Sequence, residues 1–253
     1  MALTNATTNA PSNGHHVDEP KLMSCSDCHL NTLCLPCGLS AEEQGRLTEL
    51  VVQHRCVGRG DSLFRSGDPF TAIYILHAGF FKTEVLLPDG RSQVTGFQMA
   101  AEMLGLDGIG TDHHTCNAVA LEDSDICVIP FDRMTGLLRE ISTLQNHFHK
   151  IMSREIVRDH GVMMLLGTMR AEERVAAFLI NLSQRFVLRG FSPAEFNLRM
   201  TREEIGSYLG LKLETVSRAF SRFHEAGLIT VQQKRIRILD IDALQKMLSS
   251  TPA

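Results

Sequence analysis

Residues 200–229 read MTREEIGSYLGLKLETVSRAFSRFHEAGLI, and the places where this stretch breaks decide the fold. Thr201 and Glu204 form a Thr-x-x-Glu capping-box signature, which starts a short helix carrying Ile205 and Leu209 inward. Gly210 supplies a tight turn, a second helix runs to Ala226, and Gly227 stops it. Two short apolar runs, LITV and RIRIL, then flank QQK as a hairpin. Helix, glycine turn, helix, hairpin is the order of a winged helix-turn-helix, which lays its second helix in the major groove of DNA.

Within that second helix Leu213, Val216, Phe220 and Phe223 recur at three and four and are expected to face the core. The opposite positions then turn Glu214, Ser217, Arg218 and Ser221 outward together. An Arg can donate twice to the guanine edge, a carboxylate can accept from a base amino group, and a hydroxyl adapts to either. Arg202, Lys212 and Arg222 flank this face and are expected to touch phosphates. Charge agrees: residues 170–253 hold 13 Lys and Arg against 9 Asp and Glu, a net of +4, whereas residues 1–169 hold 12 against 20, a net of −8. A basic module joined to an acidic one suggests that only the carboxyl-terminal part meets a polyanion. Ahead of it AEERVAAFLINLSQRFVLRG, residues 171–190, reads as a further helix ended by Gly190.

Further upstream, from Arg139 to about Leu166, there is no proline, and apolar residues recur at Ile141, Leu144, Phe148, Ile151, Met152, Ile156, Met163 and Leu166. The spacing predicts one helix about 42 Å long at roughly 1.5 Å per residue. That exceeds what a small domain needs, so the stripe is expected to meet its own copy across a two-fold axis through Phe148, Ile151, Met152, Ile156, Asp159 and Met163, the alternative being a long core helix within one subunit. Asp159 places a carboxylate in this seam, where it would lie near its twin and oppose association unless Arg154 or Arg158 neutralises it.

From Val51 to Pro130 short apolar runs alternate with turn signals: SLFR, TAIYILHAG, FFKTEVLL, SQVTGFQM, NAVALE and DICVIPF, punctuated by VGRGD, RSGDP and LPDG. This punctuation predicts an antiparallel roll or barrel. At the front, CSDCHLNTLCLPC packs Cys25, Cys28, Cys34 and Cys37 into thirteen residues. The first twenty residues lack a basic start and an apolar stretch, and no run of about 18 apolar residues occurs, so a cytoplasmic chain without a membrane span is expected. A reducing compartment disfavours disulfides and leaves thiolates as ligands of zinc or of a redox-active centre.

Taken together, the chain resembles the oxygen-sensing FNR branch of the cyclic-AMP-receptor superfamily of bacterial transcription regulators. The matching pieces are Cys-x-x-Cys-x5-Cys at Cys25, Cys28 and Cys34, VTGFQ and GLDGIG in the roll, CVIPF with Cys127, MSREI, AEERVAAFLINLSQRF and GLKLETVSR. The resemblance implies an α+β fold: a disordered tail over 1–24, a cysteine-rich cluster-binding segment over 25–38, a cyclic-nucleotide-binding-like β-roll (a double-stranded jelly roll) over 39–135, a dimerisation helix over 136–169, the winged helix-turn-helix over 170–245 and a tail over 246–253. It implies that Cys25, Cys28, Cys34 and Cys127 hold a [4Fe-4S] cluster which oxygen converts to a [2Fe-2S] form, weakening the homodimer and releasing DNA. Glu214, Ser217 and Arg218 fall on the family's base-reading positions, implying a palindrome with half-site TTGAT. Asp159 falls on its dimer-helix aspartate, and the loop at Asp89 and Gly90 on its RNA polymerase contact, although PDG also reads as a plain hairpin turn.

Several features depart from that pattern. Cys37 is additional and allows a local zinc knot with Cys25, Cys28 and Cys34. Leu213 stands where the cyclic-AMP receptor has Arg, so the extra guanine of that receptor's site is not expected to be read. Lys212 replaces a frequent Thr and lacks the oxygen of a good N-cap. GIGTDHHTCNAVALED carries no Arg for a cyclic phosphate, so no cyclic nucleotide is expected, and His113 and His114 read as turn-surface residues. An iron–sulfur electron carrier would explain the cysteines but not the reading helix. No nucleophile–base pair or phosphate loop has supporting context, so no enzymatic activity is expected.

Overall fold

The computed structural model describes residues 24–249, apart from 52 and 88. The tail expected over 1–24 therefore lies almost wholly outside the described residues, as do 250–253 of the tail expected at the other end. Residues 246–249 are not tail: helix α7, Ile241–Ser249, runs through them and buries Leu244 in the carboxyl-terminal core.

The cysteine segment is a string of turns leading into α1, Ala41–Leu50. Ser40 and Glu43 cap α1 reciprocally, so its start is written in the sequence as a Ser-x-x-Glu signature. The roll follows as β1 Gln53–Val57, β2 Ser62–Phe64, β3 Ala72–Ala78, β4 Phe80–Leu86, β5 Ser92–Met99, β6 Met103–Leu104, β7 Asn117–Ala120 and β8 Ser124–Pro130. They pair into two four-stranded antiparallel sheets, ordered β1-β8-β3-β6 and β2-β7-β4-β5. All six expected strands are present, joined by β1 and β6.

Strand β3 is buried on both sides, and alternation says what each side does. Ala72, Tyr74 and Leu76 point into the roll with Leu63, Phe81 and Ile126. Ile73 and Ile75 point outward into a second core with Leu35, Leu39, Leu47, Ile129, Met134, Leu137, Leu144 and Phe148. That second core ties the cysteine segment, α1, the roll and the helices after it into one packed unit.

The expected continuous helix from Arg139 is two helices. Helix α2, Phe131–Glu140, ends at Ile141, whose extended backbone (φ −112°, ψ 97°) is the N-cap of α3, Ser142–Thr168. Ile141 is itself buried, so core packing overrides the helical periodicity and redirects the chain. Phe148 is 5% exposed and packs in the subunit's own core. Ile151 and Met152 are half-buried against the same core, while Ile156 and Met163 are exposed at 54% and 60%.

Helix α4, Ala171–Leu188, then leads through β9, Glu195–Asn197, to α5, Arg202–Leu209, α6, Leu213–Glu225, and the hairpin β10 Ile229–Gln232 and β11 Arg235–Ile238. The hairpin gains β9 as a third strand, in the order β10-β11-β9. Its core, formed by Val175, Leu179, Ile205, Val216, Phe220 and Ile236 among others, is continuous with Phe80, Val94, Phe97 and Met99 of the roll.

Candidate functional site

Two sites emerge, a nucleic-acid interface on α6 and a thiol-lined recess on the roll. At the first, the Thr201 hydroxyl accepts from the Glu204 amide at 3.1 Å and the Glu204 carboxylate accepts from the Thr201 amide at 2.7 Å, which starts α5 as expected. Gly210 lies in the left-handed region at φ 63°, and the Leu211 amide donates to the Gly206 carbonyl at 2.8 Å, closing the turn. Gly206 went unremarked in the sequence, yet a Cβ there would stand 2.6 Å from the Leu211 carbonyl oxygen. The turn is tight enough that only glycine fits.

The turn sets α6 so that Val216, Ala219, Phe220 and Phe223 are buried, while Glu214, Ser217, Arg218, Ser221 and Arg222 are exposed on one side. Leu213 departs from its expected core position and is 44% exposed, because it opens the helix beyond the reach of the core. Lys212 is the N-cap, exposed and without a side-chain cap hydrogen bond. Two residues expected at phosphates are otherwise engaged. The Arg202 guanidinium lies 3.3 Å from the Phe220 ring centroid, and burial pushes its pKa down to about 10, so it braces α5 on α6. Arg222 pairs with Glu172 at an exposed position, a contact that leaves it within reach of solvent.

At the second site, register does the positioning. Cys127 pairs with His54 across β1–β8 and with Ile75 across β3–β8, so it shares the outward face that carries Ile73, Ile75 and Ile129. The cysteine segment folds over this face. The Cys25 amide donates to the Thr48 hydroxyl at 3.1 Å, the Cys34 amide to the Leu30 carbonyl at 2.9 Å, and Leu35 is wholly buried. Cys25, Cys28, Cys34 and Cys127 thereby line one recess with Leu35, Leu47 and Ile75. Cys37 lies outside that lining, with its amide donating to the Cys34 carbonyl at 3.1 Å.

The surroundings oppose ionisation of the thiols. Burial pushes Cys127 up to about 12, and Cys25, Asp125 and Cys28 add to the rise. Burial also raises Cys34, opposed by the Leu35 amide and reinforced by Cys127, Cys25 and Cys28. Cys25 rises through burial with a contribution from Cys28, against the Thr48 hydrogen bond. The recess also holds a histidine group that no spacing in the sequence announced. Asp125 Oδ2 accepts from His54 Nδ1 at 3.1 Å and from His77 Nδ1 at 3.0 Å, and His54 Nε2 lies 3.7 Å from Cys127 Sγ.

Other expected residues fall as follows. Asp159 is exposed and has no ion-pair partner among the described residues; Arg158, expected to neutralise it, pairs instead with Glu155 and with Glu102. Asp89 and Gly90 occupy the exposed β4–β5 turn, where Asp89 pairs with Arg91 at 2.6 Å. His113 is exposed, but His114 is 2% exposed, stacked 3.7 Å from the Phe64 ring and facing Asp107, so it is a core histidine and not a turn-surface one. Cys116 is buried and Cys56 exposed.

A roll joined by a long helix to a winged helix-turn-helix with an exposed reading face defines a DNA-binding regulator architecture. Residues 173–247 match the Crp-like helix-turn-helix domain, and residues 54–140 match the cyclic nucleotide-binding domain. The chain is 45% identical over 90% of its length to the transcriptional regulatory protein btr of Bordetella pertussis, covering 95% of that protein. It is 44% identical over 85% of its length to the transcriptional activator protein anr of Pseudomonas aeruginosa (88% of that protein), and 40% identical over 90% to the fumarate and nitrate reduction regulatory protein of Escherichia coli (91% of it). Among solved structures, FixK2 of Bradyrhizobium japonicum superposes with a TM-score of 0.73 at 25% identity, covering 79% of this chain and 98% of that one. The chain belongs to the CRP/FNR family of transcription regulators, on its FNR/Anr side.

Proposed function

We propose that this chain is an oxygen-responsive transcription regulator in which Cys25, Cys28, Cys34 and Cys127 hold a [4Fe-4S] cluster and the cluster-loaded homodimer binds a TTGAT-type palindrome. The observation that carries the reading is the meeting of three terminal cysteines with Cys127 in one recess, to the exclusion of Cys37. The donor set fits such a group: four soft sulfur donors, held where burial and mutual repulsion oppose ionisation until a cationic centre compensates. Bound there, the cluster would supply an oxygen-labile link between the terminal segment and β8.

What the protein's own residues add is a route from that link to the dimer helix. Leu35, one residue beyond Cys34, packs in the same core as Leu144 and Phe148 of α3, and the Cys34 carbonyl accepts from His147 Nε2 at 3.2 Å. Displacing the cysteine segment therefore displaces the amino-terminal half of α3. The carboxyl-terminal half carries Ile156, Val157, Met163 and Met164 exposed, an apolar stretch suited to pairing with a second copy. On α6, Glu214, Ser217 and Arg218 would read bases, with Lys212 and Arg222 beside the backbone. The Asp89–Gly90 turn would meet RNA polymerase.

The test is anaerobic purification with absorption spectra and iron, sulfide and zinc analysis, before and after air. Wild type is expected to be brown, to bleach in air, and to lose duplex binding as it bleaches. Cys127→Ser is expected to lose the visible absorption and anaerobic duplex binding, whereas Cys37→Ser keeps both. A brown, air-responsive, DNA-binding Cys127→Ser protein overturns the assignment.

A further inference from the structure

Beside the thiol recess, β3 and β8 present a ligand set that the cluster reading does not use. Asp125 and His77 lie on the same outward face as Cys127, because 125 and 127 alternate together and the register shift between Leu76 and Ala78 leaves His77 beside Asp125. The Asp125 carboxylate can only accept, so His77 donates from Nδ1, and Nε2 is the ring nitrogen left for a ligand. That Nε2 is buried and has no hydrogen-bond partner among the described residues. A buried acceptor left empty costs stability unless something fills it.

Beside the His77 ring stand a thiol and a second imidazole. Cys28, His29 and His77 each offer a ligand atom, and the three atoms lie within 4.8 Å of one another; the His29 and His77 rings meet edge-on with centroids 6.0 Å apart. A carboxylate that accepts from one ring nitrogen and leaves the other free is the arrangement that orients metal-ligating imidazoles. His54, His77 and Asp125 also lie within 4.8 Å, but there both imidazole Nδ1 hydrogens point at the carboxylate and close the group with hydrogen bonds.

We infer that Cys28, His29 and His77, with Asp125 orienting His77, form a mononuclear site for a borderline divalent cation of the zinc type. One sulfur and two nitrogens leave a fourth position for water, and the ligand chemistry suits zinc or cobalt over magnesium or calcium. The inference rests on the cluster reading in one respect: both centres need Cys28, so they exclude each other. Zinc in the cluster-free chain would hold the terminal segment on the roll and delay rebuilding of the cluster.

The test uses the full chain, reduced and cluster-free, titrated anaerobically with Co2+ and followed by its visible d–d bands and near-ultraviolet thiolate charge-transfer band, with Zn2+ as competitor. One equivalent is expected to bind in wild type, Cys34→Ser and Cys127→Ser. Binding is expected to be lost in His77→Ala and in His29→Ala, whose exposed side chain makes misfolding no explanation, and weakened about 10–100-fold in Asp125→Asn. Equal cobalt binding in both histidine variants, or its loss in Cys34→Ser, would show an all-thiolate site and overturn the proposal. Iron–sulfur reconstitution of the same variants separates the two readings: His77→Ala should still take up a cluster and Cys34→Ser should not. Failure of every protein to take up a cluster would count against the cluster reading alone.

Discussion

Arg218 stands on the exposed face of α6 between Glu214 and Ser221, with Ala219 and Phe220 buried behind it, so its guanidinium is presented by a rigid helix and not by a loop. A base-reading role makes a specific demand on Arg218→Ala. Discrimination at one base pair of the site should fall by about 1–3 kcal/mol, with little change at the others. Competition binding with singly substituted duplexes measures this; uniform weakening on every sequence would make Arg218 a phosphate contact. Arg202 has a neighbour that residue type alone does not announce. An Arg beside a reading helix suggests a phosphate contact, and here the aromatic face of Phe220 also lies 3.3 Å away.

Helix α3 is two things in succession. Its first turns bury Leu144 and Phe148 in the subunit, and its later turns leave Ile156, Val157, Met163 and Met164 bare. Asp159 sits among the bare residues without an ion-pair partner among those described. Across a two-fold axis two such carboxylates would repel, and the apolar contacts around Ile156 would have to outweigh them. If wild type becomes monomeric in air as proposed, Asp159→Ala is expected to remain dimeric there, with sedimentation velocity as the measurement. A variant that stays monomeric in air would remove like-charge repulsion as the control on pairing.

For the molecule as a whole, Glu102 is the clasp between roll and DNA-binding domain. From the turn between β5 and β6 it pairs with Arg185 of α4 at 2.5 Å and with Arg189, the C-cap of α4, at 2.7 Å, and stands 3.8 Å from Arg158 on α3. Burial acts to raise its pKa, but Arg185 and Arg189 outweigh burial and hold it below the ordinary carboxylate value. Burial likewise acts to lower Arg189, which remains charged at neutral pH. A carboxylate whose folded pKa is depressed contributes stability above its unfolded pKa, and that contribution is lost as pH falls through the folded value. Glu102→Gln leaves two part-buried guanidinium groups without a counter-charge and should cost about 3–5 kcal/mol at neutral pH. The gap from wild type should close as pH falls below the model-compound carboxylate range. Thermal unfolding between pH 7 and 3 measures both; a gap that is constant across that range would show that the charge of Glu102 contributes nothing.

The sequence by itself determined the local elements that rest on short-range chemistry. The Thr201–Glu204 box, Gly210 and the apolar spacing of α6 were legible because caps, left-handed turns and helical faces depend on residues within four positions of one another. The six expected roll strands were legible for the same reason, through alternation between turn residues. Tertiary structure alone decided the break at Ile141, the burial of Phe148 and His114, and the engagement of Arg202, since each depends on a neighbour distant in the chain. It also decided the histidine group: His54, His77 and Asp125 belong to three strands, and only the antiparallel register of β1, β8 and β3 brings them together beside Cys127. Side-chain period fixes which face a strand residue takes, but pairing of distant strands fixes what it meets there.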